Sequence, residues 1–203
     1  MWTLGLTGSI ASGKSTVGKM FEALGVPVFS SDAAVHALYR GAAVAPIEAA
    51  FPGTTRDGEV DRTALSARLV AEPARLAALE AIVHPLVRAE IGKFLAQAEA
   101  AGAPLAVVDI PLLFEGGHRY GLDRVAVTIA SDATIRARAL ARPGMNVEKL
   151  EAILARQLPQ AEKKARADYV FDTDRPLADT RAAVAALVEE LAATPKTTPG
   201  ATP

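Results

Sequence analysis

Gly8, Gly13, Lys14 and Ser15 occupy the four fixed places of the pattern G-x-x-x-x-G-K-[ST], within Gly8-Ser9-Ile10-Ala11-Ser12-Gly13-Lys14-Ser15-Thr16. That spacing suits a polyphosphate. Small residues, Ala11 and Ser12 among them, let the backbone wrap the anion, so that successive N–H groups and the next helix N-terminus face its oxygens. Lys14 supplies a mobile cation for the β- and γ-phosphates, and the Ser15 hydroxyl can complete the coordination of Mg²⁺. Thr16 can add a contact from the first helical turn. The competing reading is a glycine-rich turn that binds nothing. Against it stand an apolar run over 2–6 and, behind the loop, Val17, Met20, Phe21 and Leu24 at helical spacing, closed by Gly25. The motif alone does not separate kinases from GTPases or ATP-driven switches.

Other residues with chemical potential lie further along. Asp32 follows a short apolar stretch over 26–29, and in open parallel sheets ligands gather at the carboxyl ends of strands. It reads equally as a site carboxylate or as the N-cap of the helix that follows. Asp109 ends the apolar run 105–108, as does the second acidic element of phosphate-loop sites that supports Mg²⁺; the alternative is a turn residue. Arg136, Arg138 and Arg142 fall in a helix expected over 133–141, with Arg138 and Arg142 on one face. Such arginines form a solvated face or, beside a triphosphate, a bidentate clamp. His84 precedes Pro85 and is a packing, turn or ligand histidine.

The elements that must position these residues follow from periodicity. Strands are expected over 4–6, 26–29, 105–108, 125–129 and 169–171, with helix 14–24 between the first two, an order that implies parallel pairing. From 32 to about 102 the alternation lapses into consecutive helices with no clear strand. One covers 46–51, one is capped by Asp61, and one is striped by Leu76, Leu79, Ile82 and Val83 until His84-Pro85 interrupts it. Leu86, Ile91, Phe94 and Leu95 resume that pattern. Pro143-Gly144 breaks the arginine helix, and Val147, Leu150, Ile153 and Leu154 begin its partner, the shape of a mobile lid. Leu177, Val184, Leu187, Val188 and Leu191 mark a closing helix, and 194–203 reads as a disordered tail.

With 203 residues the chain accommodates one α/β domain carrying an inserted subdomain. No cysteine is present, which removes disulfides and thiol catalysis. Lys plus Arg (22) nearly balances Asp plus Glu (23), so no general basic field for nucleic acid exists. No apolar run spans a bilayer and no signal-type core opens the chain. The expectation is therefore a cytoplasmic protein with no nucleic-acid or membrane partner and no obligate protein partner.

Taken together, the marks resemble the dephospho-CoA kinase family along nearly the whole chain. They run from Thr7-Gly8 into Gly13-Lys14-Ser15-Thr16, then Leu24-Gly25 through Asp32, Asp57-Gly58, Asp61-Arg62 and His84-Pro85. They continue through Asp109-Ile110-Pro111-Leu112-Leu113-Phe114-Glu115, Arg138 with Arg142, Arg156-Gln157 with Pro159, Glu162-Lys163 and Ala167-Asp168. The resemblance implies a phosphate-loop kinase fold of the nucleoside monophosphate kinase type: a five-stranded parallel sheet flanked by helices, a helical substrate-binding insertion and a lid. The expected division is a nucleotide core over 1–31, 103–135 and 161–193, a CoA-binding insertion over 32–102 and a lid over 136–160. It also implies transfer from ATP, with Mg²⁺, to the ribose 3′-hydroxyl of dephospho-CoA. Asp32 would be the base, with Lys14 and Arg142 stabilising charge. Gly8, Ala11, Ser12, Gly13, Lys14, Ser15, Thr16, Arg138 and Arg142 would bind ATP. Asp32, His84 and Leu113 would bind the acceptor, and Ser15 and Asp109 the metal. Three positions depart from the family pattern: Ser30 replaces the first acid of an Asp-x-Asp pair, Ile135 a glutamine and Thr173 an asparagine. The rival functions are a kinase for another small molecule or nucleoside monophosphate, a nucleotide switch, and a nucleotide-binding protein without catalysis. No guanine-reading Asn-Lys-x-Asp stretch supports the switch.

Overall fold

Leu4 and Leu6 alternate with Gly5 and Thr7 in β1 (Trp2–Gly8), so one face of the strand is wholly apolar while the other stays small. The computed structural model describes all residues except 117–119 and 197–203. The chain divides into two units, Met1–Phe29 with Leu95–Pro203, and Ser30–Phe94.

In the first unit β1 is the centre of a five-stranded sheet with β2 (Val28–Ser30), β5 (Leu105–Asp109), β6 (Arg124–Ile129) and β7 (Tyr169–Asp172), in the order β2-β5-β1-β6-β7. β1 pairs in parallel with β5 and β6, and β6 with β7. Register sets chemistry here. Leu6 lies opposite Asp109 and Gly8 opposite Thr128, so the ends of β5 and β6 flank the start of the phosphate loop. Helices α1 (Lys14–Ala23) and α9 (Leu177–Ala193) place Val17, Met20, Phe21, Val184, Leu187 and Leu191 over Leu4, Leu6, Val107, Ala126 and Phe171. Phe21 meets Phe171 edge-on, with ring centres 6.1 Å apart. α6 (Asp132–Leu140), α7 (Val147–Leu154) and α8 (Gln160–Arg166) follow β6. Where a tail was expected to begin, the Thr194 carbonyl accepts a bond from the Trp2 indole at 2.7 Å, and Lys196 meets Asp123 at 2.8 Å. The rest of that stretch, 197–203, lies outside the described residues.

The second unit holds α2 (Ser31–Leu38), α3 (Val44–Ala50), α4 (Arg62–Ala71), a 3-10 turn over Pro73–Arg75 and most of α5 (Leu76–Ala100), which continues into the first unit. Two sequence expectations fail in it. The unit contains an antiparallel hairpin, β3 (Thr55–Arg56) with β4 (Glu59–Val60), whose turn residues Asp57 and Gly58 both have positive φ, 52° and 79°. Both signs suit the tight turn that Asp-Gly favours. Helix α5 also runs without a break through Pro85. An interior proline costs about 3 kcal/mol in a helix. Leu79, Val83, Val87 and Ile91, spaced four apart on both sides of it, are each at most 8% exposed, and burial of that row outweighs the local penalty.

Candidate active site

The phosphate loop links β1 to α1, and its glycines answer to different demands. A Cβ on Gly8 would overlap the Thr128 side chain and lie 2.9 Å from the Thr128 carbonyl oxygen, so close strand pairing forbids one. Gly13 has φ 86°, the left-handed region, and a Cβ there would also meet the Thr173 methyl at 2.9 Å. Ala11 adopts φ 58° without that freedom and is held by burial. It packs with Ala139 and Leu150, and Ile10, Met145 and Leu154 close the cluster, so the α6–α7 hairpin grips the loop's tip. The Ile10 N–H donates to Gln157 Oε1 at 3.1 Å, and buried Ser12 Oγ pairs with Thr128 Oγ1 at 2.7 Å.

Lys14 opens α1 and its ammonium forms an ion pair with the Asp109 carboxylate at the end of β5, both side chains largely shielded. Ser15 and Thr16 are exposed in the first turn of α1. This arrangement fits a nucleotide triphosphate: turned backbone with no room for larger side chains, a helix N-terminus, a cation and two oxygen donors. Among the described residues, no group of three or more His, Cys, Asp or Glu could hold a metal ion. The Ser15 hydroxyl and the Asp109 carboxylate are oxygen donors of the kind Mg²⁺ takes alongside phosphate and water.

The arginines divide. Arg138 in α6 donates from Nη1 to Thr173 Oγ1 at 2.9 Å and from Nη2 to the Thr173 carbonyl at 2.8 Å. Arg136 pairs with Glu151 of α7, which pushes the Glu151 carboxyl below its ordinary range and the guanidinium above its own. Arg142 lies beyond the helix, because α6 ends at Leu140 with Ala141 as its cap. Arg142 therefore follows the helix that carries Arg138 instead of belonging to it. Among the described residues no hydrogen bond or ion pair holds the exposed Arg142 side chain.

A tether absent from the sequence reading joins the loop after β5 to α8. Lys163 is fully buried and meets Glu115 at 2.8 Å, while Glu115 Oε1 also accepts the Leu158 N–H at 3.0 Å. The signal was available in the Pro-Leu-Leu-Phe-Glu and Glu-Lys marks, but spacing could not pair them. Leu113, expected at the acceptor, is 9% exposed, with its methyl 3.0 Å from where a Cβ on Gly5 would sit.

In the second unit Asp32 is exposed in the first turn of α2, where an acid complements the helix dipole. It is not the cap: Ser30 is, accepting the Ala33 N–H at 3.3 Å. Ser30, a departure from the family pattern, thus serves a capping role open to Asp as well. Ile135 is buried at 2% exposure. His84 is half-buried within α5.

Comparison with known proteins decides the family. A family model described as Dephospho-CoA kinase matches residues 2–179. The chain belongs to this family. A dephospho-CoA kinase of Rhodopseudomonas palustris is 53% identical over 196 residues, covering 97% of this chain and 98% of the relative. A crystal structure from Thermus thermophilus superposes with TM-score 0.81 at 36% identity, covering 94% of this chain and 97% of that one. The dephospho-CoA kinase of Campylobacter jejuni, at 24% identity and TM-score 0.65 over 93% of this chain and 96% of that one, shares the fold. The parallel five-stranded sheet is thus that of the phosphate-loop kinases. No helix among the described residues is long and apolar enough to cross a membrane.

Proposed function

We propose that this chain transfers the γ-phosphoryl group of ATP to the ribose 3′-hydroxyl of dephospho-CoA, giving coenzyme A and ADP, the last step of coenzyme A synthesis. The observation that carries the reading is the cradle itself: Gly8 and Gly13 leave no room for a Cβ, and the Lys14–Asp109 pair stands at the strand ends beside the start of α1. Dephospho-CoA as acceptor rests on family membership.

Phosphoryl transfer asks a protein mainly for alignment and charge stabilisation, because the transferring group is loosely bonded to both oxygens at the transition state. Backbone N–H groups of Gly13, Lys14 and Ser15 would hold the donor phosphates, with Lys14 and Arg142 sharing their negative charge and Arg138 contributing to the ATP site through its bonds to Thr173. Ser15 and Asp109 would hold Mg²⁺, which when bound neutralises charge on the β- and γ-oxygens. Asp32 orients the acceptor hydroxyl and takes its proton as the new O3′–P bond forms and the bond from Pγ to the bridging oxygen breaks. His84 and the edge of Leu113 contact the acceptor. Residues 136–160 act as the lid, and Arg142, unheld here, reaches the phosphates when the lid excludes water.

The test is ADP release with MgATP and dephospho-CoA, AMP, adenosine or no acceptor, with product mass. Release only with dephospho-CoA, with a product heavier by one phosphoryl group, is expected. Turnover with another acceptor reassigns the helical unit, and acceptor-independent hydrolysis or none removes the transfer reading.

A further inference from the structure

Thr173 replaces the asparagine of the family pattern and follows β7 directly. Its hydroxyl donates to the Ser12 carbonyl at 2.9 Å and lies 3.2 Å from the Ile129 carbonyl, while its N–H bonds that same Ile129 oxygen at 2.9 Å. Arg138 grips it from the other side through both its hydroxyl and its carbonyl. Its methyl fills the space that Gly13 leaves open. Every polar atom of this residue is engaged, and its branched side chain is stiff at χ1.

The peptide between Ser12 and Gly13 is planar, so its carbonyl and its N–H point in opposite directions. Holding the Ser12 carbonyl on Thr173 therefore aims the Gly13 N–H away from Thr173. Rotation of this peptide is cheap, because Gly13 tolerates either sign of φ and sits at 86° here. A flipped peptide would present a carbonyl oxygen where the loop presents a donor, and a carbonyl repels phosphate.

We propose that Thr173 is a positioning residue that locks the Ser12–Gly13 peptide in its donor-out orientation, and that Arg138 acts on the loop through Thr173. The inference rests on the reading of this loop as the ATP site. It assigns to a departure from the family pattern the task of keeping the cradle preformed.

Titration of a fluorescent ATP analogue with Mg²⁺, alongside KM for ATP and for dephospho-CoA, tests this in the full chain. Thr173→Val keeps the shape and removes the hydroxyl; loss of one such bond weakens nucleotide binding about tenfold, with KM for dephospho-CoA within about twofold of wild type. Thr173→Ser keeps the hydroxyl and restores nucleotide affinity to within about threefold. Thr173→Ala repeats the loss should the valine variant fail to fold. In the Thr173→Val background, Arg138→Gln costs at most about a further twofold if it works through Thr173, whereas multiplication of the two single effects overturns that link. Unchanged analogue affinity in the hydroxyl-free variants, or an equal rise in both KM values, overturns the proposal. A wild type that binds the analogue but does not phosphorylate dephospho-CoA removes the functional reading, and the titrations still decide the role of Thr173.

Discussion

The phosphate loop and the helical unit Ser30–Phe94 are held together by different means. Around the loop, Lys14, Ser12 and Ile10 find partners 95, 116, 161 and 147 residues away, at Asp109, Thr128, Thr173 and Gln157. In the helical unit the side-chain supports are near in sequence. Asp61 caps α4 two and three residues on, Glu48 accepts from Gly53 and Thr55, and the Arg75 guanidinium donates to the Ala50 carbonyl 25 residues back. A backbone cradle for an anion is built from groups that any chain carries, so its precision has to come from tertiary contacts. Carboxylates and imidazoles presented on helices depend instead on the capping and burial that hold those helices, as at Asp61 and along the buried row of α5.

This contrast is open to breakage by mutation. The largest expected effect is Asp32→Asn, which keeps shape and removes the proton acceptor: turnover falls about 10²–10⁴-fold while ATP affinity stays within about twofold, by steady-state rates and nucleotide titration. Unchanged turnover would remove Asp32 as base and with it the case for helix-borne chemistry.

On the long-range side, Glu115→Gln leaves the fully buried Lys163 ammonium without its counter-charge, and about 3–5 kcal/mol of unfolding free energy is lost in urea titration. Removing both charges with Glu115→Gln/Lys163→Met recovers most of it. A loss below about 1 kcal/mol for Glu115→Gln would mean that the tether is not a distant clamp of the kind seen at the loop.

In α5, Pro85→Ala restores a backbone donor and raises stability by up to about 3 kcal/mol, read as a higher Tm. A fall in Tm would show that tertiary packing around Pro85 matters more than local helix rules.

The smallest effect concerns pH. Burial pushes the Asp123 carboxyl up, but bonds from Lys196 and Thr3 outweigh it and hold it below the ordinary aspartate range. A depressed folded value means that its contribution is complete above the ordinary carboxylate range and is lost as pH falls through the folded value. Asp123→Asn therefore lowers stability at neutral pH and flattens the acid limb of a denaturation profile. A parallel shift at all pH values would overturn the assignment.

Local patterns made much of the molecule legible. The five strands of the main sheet, the phosphate loop, the Asp61 cap and the placement of Asp109 at a strand end all depend on residue type and spacing within a few positions. The Asp57-Gly58 hairpin was not legible: the dipeptide suits a turn with positive φ at both positions, but its two-residue strands are too short for alternation to reveal. Ser30 rather than Asp32 as the cap lay within one turn of ambiguity, because both residue types accept a backbone N–H equally well.

What the amino-acid sequence determined was therefore the chemistry on offer: a loop shaped for phosphate, a cation, carboxylates at strand ends and helix starts, and arginines beyond the fourth strand. Tertiary structure alone decided which of these groups meet. Lys14 joins Asp109, Arg138 closes on Thr173, Lys163 is buried on Glu115, and α5 passes through Pro85. The reason is physical. Propensity and capping act over one or two helical turns, whereas burial and hydrogen-bond satisfaction act on whatever the folded sheet brings within a few ångströms, however far apart in the chain.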